Sequence, residues 1–156
     1  FPGAEIWATD ADAARGRDLA EMVARTGMEG VSWVPLEAVG DVGPADLVLL
    51  DVPCSNSGVL ARRPEARYRL GKAQTRRLTK IQDGLLERGA ALCASGGHVV
   101  YATCSIDGTE NGARVDAAGR VGLREVRRTE TLPEGGPGDD ATRHRDGGFA
   151  ALLERA

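Results

Sequence analysis

A chain of 156 residues, 42% hydrophobic and 4% aromatic, is long enough for one domain with a buried core. Its formal net charge of −3 excludes a globally basic nucleic-acid binder but leaves room for a local basic face. The longest apolar runs fall far short of the roughly 20 residues that span a bilayer, no signal peptide opens the chain, and three cysteines without close spacing fit neither a disulfide frame nor a zinc knuckle. The expectation is a cytoplasmic, reducing location, free thiols, no membrane and no metal.

Residues 5–9 read as a strand ending at Asp10, and 13–25 as a helix with Leu19, Met22 and Val23 at helical spacing, closed by Gly27. Residues 31–34 and 46–50 read as the second and third strands. A long helix over 72–94 carries the stripe Leu78, Ile81, Leu85, Leu86 and Leu92, with Gly96 and Gly97 as its stop and Cys93 as a core residue near the stripe. Residues 98–103 form a fourth strand, 107–118 a helix and 123–128 a strand. A loop rich in Gly, Pro and Asp covers 133–146, and 149–153 is the last strand. Strands alternating with helices predict an α/β fold with a mostly parallel, doubly wound sheet. The last two strands, with no helix between them, predict an antiparallel hairpin at one edge. No internal repeat or boundary divides the chain, so 1–156 reads as one domain.

Two cysteines sit in similar frames. Cys54 follows Asp51-Val-Pro after an apolar strand, and Cys104 follows Tyr101-Ala-Thr after another. Ligands of open α/β sheets bind outside the carboxyl ends of the strands, so both thiols and Asp51 are expected to converge on one site. A thiolate is the best side-chain nucleophile near neutral pH, and from spacing alone either cysteine is a candidate. The helix expected from Asp107 and the nearby cations are candidates for lowering a thiol pKa. Asp51 suits the ring nitrogen and amine of cytosine, against the alternative of a loop cap beside a buried thiol. Asp10, at a strand end, suits a ribose diol, with a helix cap as the alternative. Between Arg62 and Lys80 eight basic residues face the single acid Glu65. The segment is either a solvated face or a phosphate-binding one, and Arg62, Arg63, Arg67 and Arg69 are the expected phosphate contacts.

The runs Asp51-Val-Pro-Cys-Ser-Asn-Ser-Gly-Val-Leu-Ala-Arg-Arg-Pro-Glu65 and Tyr101-Ala-Thr-Cys-Ser-Ile-Asp-Gly-Thr-Glu-Asn111 resemble the two signature motifs of the Sun/Fmu/Nop-type RNA cytosine-5 methyltransferases. Leu78-Thr-Lys-Ile-Gln82 and Asp146-Gly-Gly-Phe149 are similar to further family patterns, so the resemblance runs the length of the chain. It implies a Rossmann-like sheet, S-adenosylmethionine as cofactor, and RNA as substrate, ribosomal first and transfer RNA next, acted on by a monomer. It assigns Cys104 as the nucleophile at cytosine carbon 6, Asp51 to the base and cofactor, and Cys54 to the final elimination. Asp10 falls to the ribose. The family's adenosine-contacting acid has no match in register, where Leu36 stands, and Glu37 next to it takes the expectation. The family's glycine-rich loop and first strand are expected upstream of Phe1, and their absence is expected to weaken cofactor binding and stability in the chain taken alone. The competing readings are a non-catalytic RNA-binding remnant and a thiol redox protein, the latter without a Cys-x-x-Cys pair.

Overall fold

The computed structural model describes residues 3–136 and 138–156, leaving aside the side chains of Arg69 and Ala141. Its elements run β1 (Ile6–Ala8), α1 (Ala14–Thr26), β2 (Val31–Trp33), β3 (Ala45–Asp51), α2 (Lys72–Leu92), β4 (Cys93–Thr103), α3 (Gly112–Ala117), β5 (Leu123–Thr131) and β6 (Gly148–Arg155), with short 3-10 turns between some of them. The chain falls into two compact units, Phe1–Gly43 and Pro44–Ala156.

In the first unit β1 and β2 pair in parallel, Ile6 opposite Val31 and Ala8 opposite Trp33, joined by α1. The Asp12 carboxylate accepts the Ala14 N–H at 2.9 Å, satisfying one of the donors that a helix start leaves open. At the other end Gly27 turns left-handed, φ 66°, and returns its N–H to Val23.

The second unit is a four-stranded sheet in the order β3-β4-β6-β5. β3 and β4 are parallel, while β6 runs antiparallel to both β4 and β5. The α/β class and the antiparallel β5–β6 pair at one edge are as expected, while within this sheet β3–β4 is the parallel pairing and the other two are antiparallel. Alternation along β4 puts Val99, Tyr101 and Thr103 on a buried face. Val99, Tyr101 and Leu153 are fully buried in a cluster with Leu86 and Ala90 of α2 and Phe149 and Ala151 of β6. Full burial of a side chain such as Leu153 contributes about 1.5–3 kcal/mol. The Tyr101 and Phe149 rings meet edge to face, 6.4 Å between centroids.

Three boundaries differ from the sequence reading. α2 stops at Leu92, so Cys93 is the first residue of β4, buried in the core but on a strand. The two glycines read as a helix stop lie inside β4. Between Ala45 opposite Cys93 and Leu47 opposite His98 the strand carries a bulge. A Cβ on Gly97 there would stand 2.9 Å from the Asp46 carbonyl oxygen and 3.0 Å from the Cys93 sulfur, so the close approach needs glycine. α3 begins only at Gly112, and 107–111 is a turn held by the Asp107 carbonyl accepting from Glu110 and Asn111. No helix among the described residues is long and apolar enough to cross a membrane.

Candidate active site

β3 and β4 end side by side, with Asp51 paired to Ala102. The loops that leave these ends carry Cys54 and Cys104, and the two sulfurs lie 3.3 Å apart as free thiols. Both are half-buried, and Asp51 is exposed at the strand end, its carboxylate without a hydrogen-bond or ion-pair partner among the described residues. The structure therefore brings together the three residues at the strand ends. Burial, with the Cys104 thiol beside it, pushes the Cys54 thiol up from 9.0 to about 12, against a smaller lowering by the Asn56 backbone.

Asn56 was not singled out in the sequence. It is the only non-glycine with positive φ among the described residues, 58°, a conformation that asparagine tolerates better than most side chains. Its carbonyl oxygen accepts from the Cys104 thiol at 2.9 Å and lies 3.7 Å from the Cys54 sulfur. Asn56 thus sits at the junction of the two thiols.

Behind the cysteines the two loops are stitched together. Glu110 is fully buried and takes hydrogen bonds from Ser55, Ser105 and Gln82. Asn111 accepts from the Thr103 hydroxyl at 2.7 Å and donates to the Ser105 carbonyl at 2.9 Å, holding the residues on either side of Cys104. The Gly58 N–H donates to the Cys104 carbonyl at 3.0 Å, and Gly147 donates to the Gly58 carbonyl at 2.7 Å, so the closing Asp-Gly-Gly-Phe run braces the same loops. Glu110 and Asn111 lay in plain sight inside the second motif. What hid their role is that their partners stand up to 55 residues away.

The expected helix dipole at Cys104 is not there: α3 starts eight residues later and is six residues long. Of the basic residues, Arg63 and Arg67 are exposed, and Arg62, also exposed, pairs with Asp146. The side chain of Arg69 lies outside the described residues. Tyr68, missed in the sequence, is 77% exposed, with the Arg67 guanidinium 4.8 Å from its ring centroid and bonded to its hydroxyl. A cavity of about 650 Å³ opens beside these segments, lined among others by Ser55, Ser57, Lys72, Arg76, Thr109 and Arg114.

In the first unit, Asp10 is exposed just past β1, one carboxylate oxygen taken by the Asp12 N–H at 2.8 Å. Asp12, not Asp10, serves the start of α1. Glu37 is exposed after β2. Exposed carboxylates with an open lone pair are suited to hydroxyl donors, as a nucleoside would present.

The chain is 38% identical over 117 residues to the probable ribosomal RNA small subunit methyltransferase B of Synechocystis, which covers 72% of this chain and 26% of that protein. It is 41% identical over 68 residues to the tRNA (cytosine(34)-C(5))-methyltransferase of Drosophila melanogaster, 44% of this chain and 9% of that one. Among solved structures, NSun6 from Pyrococcus horikoshii with SFG superposes with a TM-score of 0.75 at 26% identity, over 97% of this chain and 41% of its own. The chain thus spans about a quarter of the Synechocystis protein and less of the Drosophila one. The fold is the Rossmann-like sheet of methyltransferases. The pattern of the 16S rRNA methyltransferase RsmB/F family matches residues 2–136, well over half of the sequence, and the chain belongs to that family.

Proposed function

We propose that this chain is the catalytic part of an S-adenosylmethionine-dependent RNA cytosine-5 methyltransferase, acting in the cytoplasm as a monomer on ribosomal RNA, with transfer RNA the next candidate. The observation that carries the reading is the pair of free thiols 3.3 Å apart at adjoining strand ends, with the open carboxylate of Asp51 on the same edge. The family description and the name of the Drosophila relative support the RNA classes and the cytosine carbon.

Carbon 5 of cytosine is a poor nucleophile, and covalent addition at carbon 6 activates it. Cys104 makes that bond as a thiolate, while Asp51 holds the base and favours a proton on its ring nitrogen. S-adenosylmethionine, when bound, supplies an electrophilic methyl group to carbon 5. Loss of the carbon 5 proton then expels Cys104 and restores the ring, with Cys54 assisting this elimination. Burial, which pushes the Cys54 thiol up, makes it the poorer candidate for attack on carbon 6. The family resemblance assigns Asp10, Glu37 and Asp51 to the cofactor, and each is a carboxylate, an acceptor suited to hydroxyl and amine donors. The target base has to leave its stack. Arg62, Arg63, Arg67 and Arg69 hold the flanking phosphates, and the exposed Tyr68 ring offers a surface for a neighbouring base.

The test is covalent capture on denaturing gels, using the intact natural protein, ribosomal RNA and S-adenosylmethionine. Cys54→Ala is expected to accumulate an RNA adduct, and adding Cys104→Ala to abolish it together with methyl transfer. Tight RNA binding with neither adduct nor methyl transfer supports instead a non-catalytic RNA-binding member of the family.

A further inference from the structure

Glu110 takes no part in the chemistry above, yet it is the most heavily bonded side chain near the thiols. Its carboxyl group is fully buried. The Ser55 N–H reaches its two oxygens at 3.0 and 3.2 Å, the Ser55 hydroxyl lies at 2.5 Å, the Ser105 hydroxyl at 2.6 Å and the Gln82 amide at 3.3 Å. Ser55 directly follows Cys54, and Ser105 directly follows Cys104. The same Gln82 nitrogen also donates to the carbonyl of Pro53, the residue before Cys54, at 3.0 Å.

Core packing does not account for this arrangement. A buried carboxyl group met only by neutral donors is costly compared with an apolar side chain of the same size. Gln82 adds to the cost, because turning its nitrogen toward Glu110 and Pro53 leaves its own buried oxygen without a partner. What the arrangement achieves is a fixed separation between two loops that come from different strands. Pro53 and Ser55 bracket one thiol, Ser105 adjoins the other, and one carboxyl group grips both sides.

We infer that Glu110 is a positioning residue that locks the Cys54 and Cys104 loops into one unit, acting through Ser55 and Ser105, so that both thiols address the same base. The inference rests on the proposed function for its kinetic readout, but not for its geometric one.

The test uses Glu110→Gln in the intact natural protein. The substitution keeps the shape and leaves the apolar core untouched, but it turns one of the two acceptor oxygens into a donor, so the donors of Ser55, Ser105 and Gln82 can no longer all be met and the grip on the two loops loosens. Because small misplacements of reacting groups are costly, kcat for methyl transfer is expected to fall about 10- to 100-fold, with KM for RNA within about twofold. A Ser55→Ala, Ser105→Ala double variant is expected to lose a similar factor, and adding Glu110→Gln to it little more, since the residues act as one unit. Val115→Ala, in the core of α3, supplies the stability control: a lower Tm with kcat unchanged. Independently of activity, a bifunctional thiol reagent of short span is expected to bridge Cys54 and Cys104 in the wild type and about tenfold less in Glu110→Gln, but normally in Val115→Ala. Unchanged cross-linking in Glu110→Gln, kcat within twofold of an active wild type, or a loss that multiplies with that of the serine variant overturns the positioning role. A wild type that cross-links normally but neither methylates nor captures RNA overturns the proposed function and leaves the cross-linking comparison to decide the role of Glu110.

Discussion

Cys54 lies 3.3 Å from Cys104, sulfur to sulfur, and its thiol proton is held by burial. Burial raises its pKa to about 12, and the Asn56 backbone only partly opposes this. At pH 7 Cys54 is therefore held as a thiol. Iodoacetamide labelling of Cys54, followed by mass spectrometry of its peptide, is expected to keep accelerating above pH 10. A plateau near pH 9 would show that burial does not hold the proton. The unfolded thiol ionises near 9.0, so as pH rises the unfolded chain sheds this proton first, and stability falls from about pH 9 to 12. At this scale Asp51, Cys54 and Cys104 were legible in the sequence, because an apolar run followed by a turn marks a strand end. Asn56 and Glu110 were not. The first depends on a left-handed backbone that no spacing announces, and the second on partners brought close only by the sheet.

Among the elements, the helices and strands with strong periodicity came out close to expectation, and the errors cluster where a residue type has two structural meanings. Gly96 and Gly97 are as good a helix stop as a strand bulge, and only the register against β3 decides between them. In the first motif loop the tightest approach is at Gly58. An added Cβ there would meet two backbone carbonyls, standing 2.8 Å from the Cys104 oxygen and closer still to that of Gly147. Neither backbone group is free to swing aside as a side chain would. Gly58→Ala is therefore expected to lower the unfolding free energy by about 1–3 kcal/mol, the usual cost of overpacking. It should also move the Cys54 loop away from Cys104. Urea melts measure the first effect and thiol cross-linking the second. A variant with wild-type stability and cross-linking would mean that the loops shift without cost.

Across the whole molecule, stability is unevenly distributed. Every member of the main buried cluster, from Val52 to Leu153, belongs to Pro44–Ala156. In Phe1–Gly43, Val34 is the one buried hydrophobic side chain among the described residues, and its two strands are three residues long. A short parallel pair with little apolar burial opens locally, whereas β4, hydrogen-bonded on both sides by β3 and β6, opens only when the unit unfolds. Hydrogen exchange read by mass spectrometry on this chain is expected to show β4 and β6 as the slowest amides, with protection in β1, α1 and β2 at least about 100-fold lower. The motif loops are the informative intermediate. They contribute few apolar side chains, but their backbone groups are bonded to Glu110, Asn111, Gly58 and Gly147. If those bonds tie them to the core, the amide of Ser55 exchanges with β4, and Glu110→Gln releases it without changing β4. Equal protection in all three regions would instead make the chain one cooperative unit, with the thiol loops no more firmly held than β1.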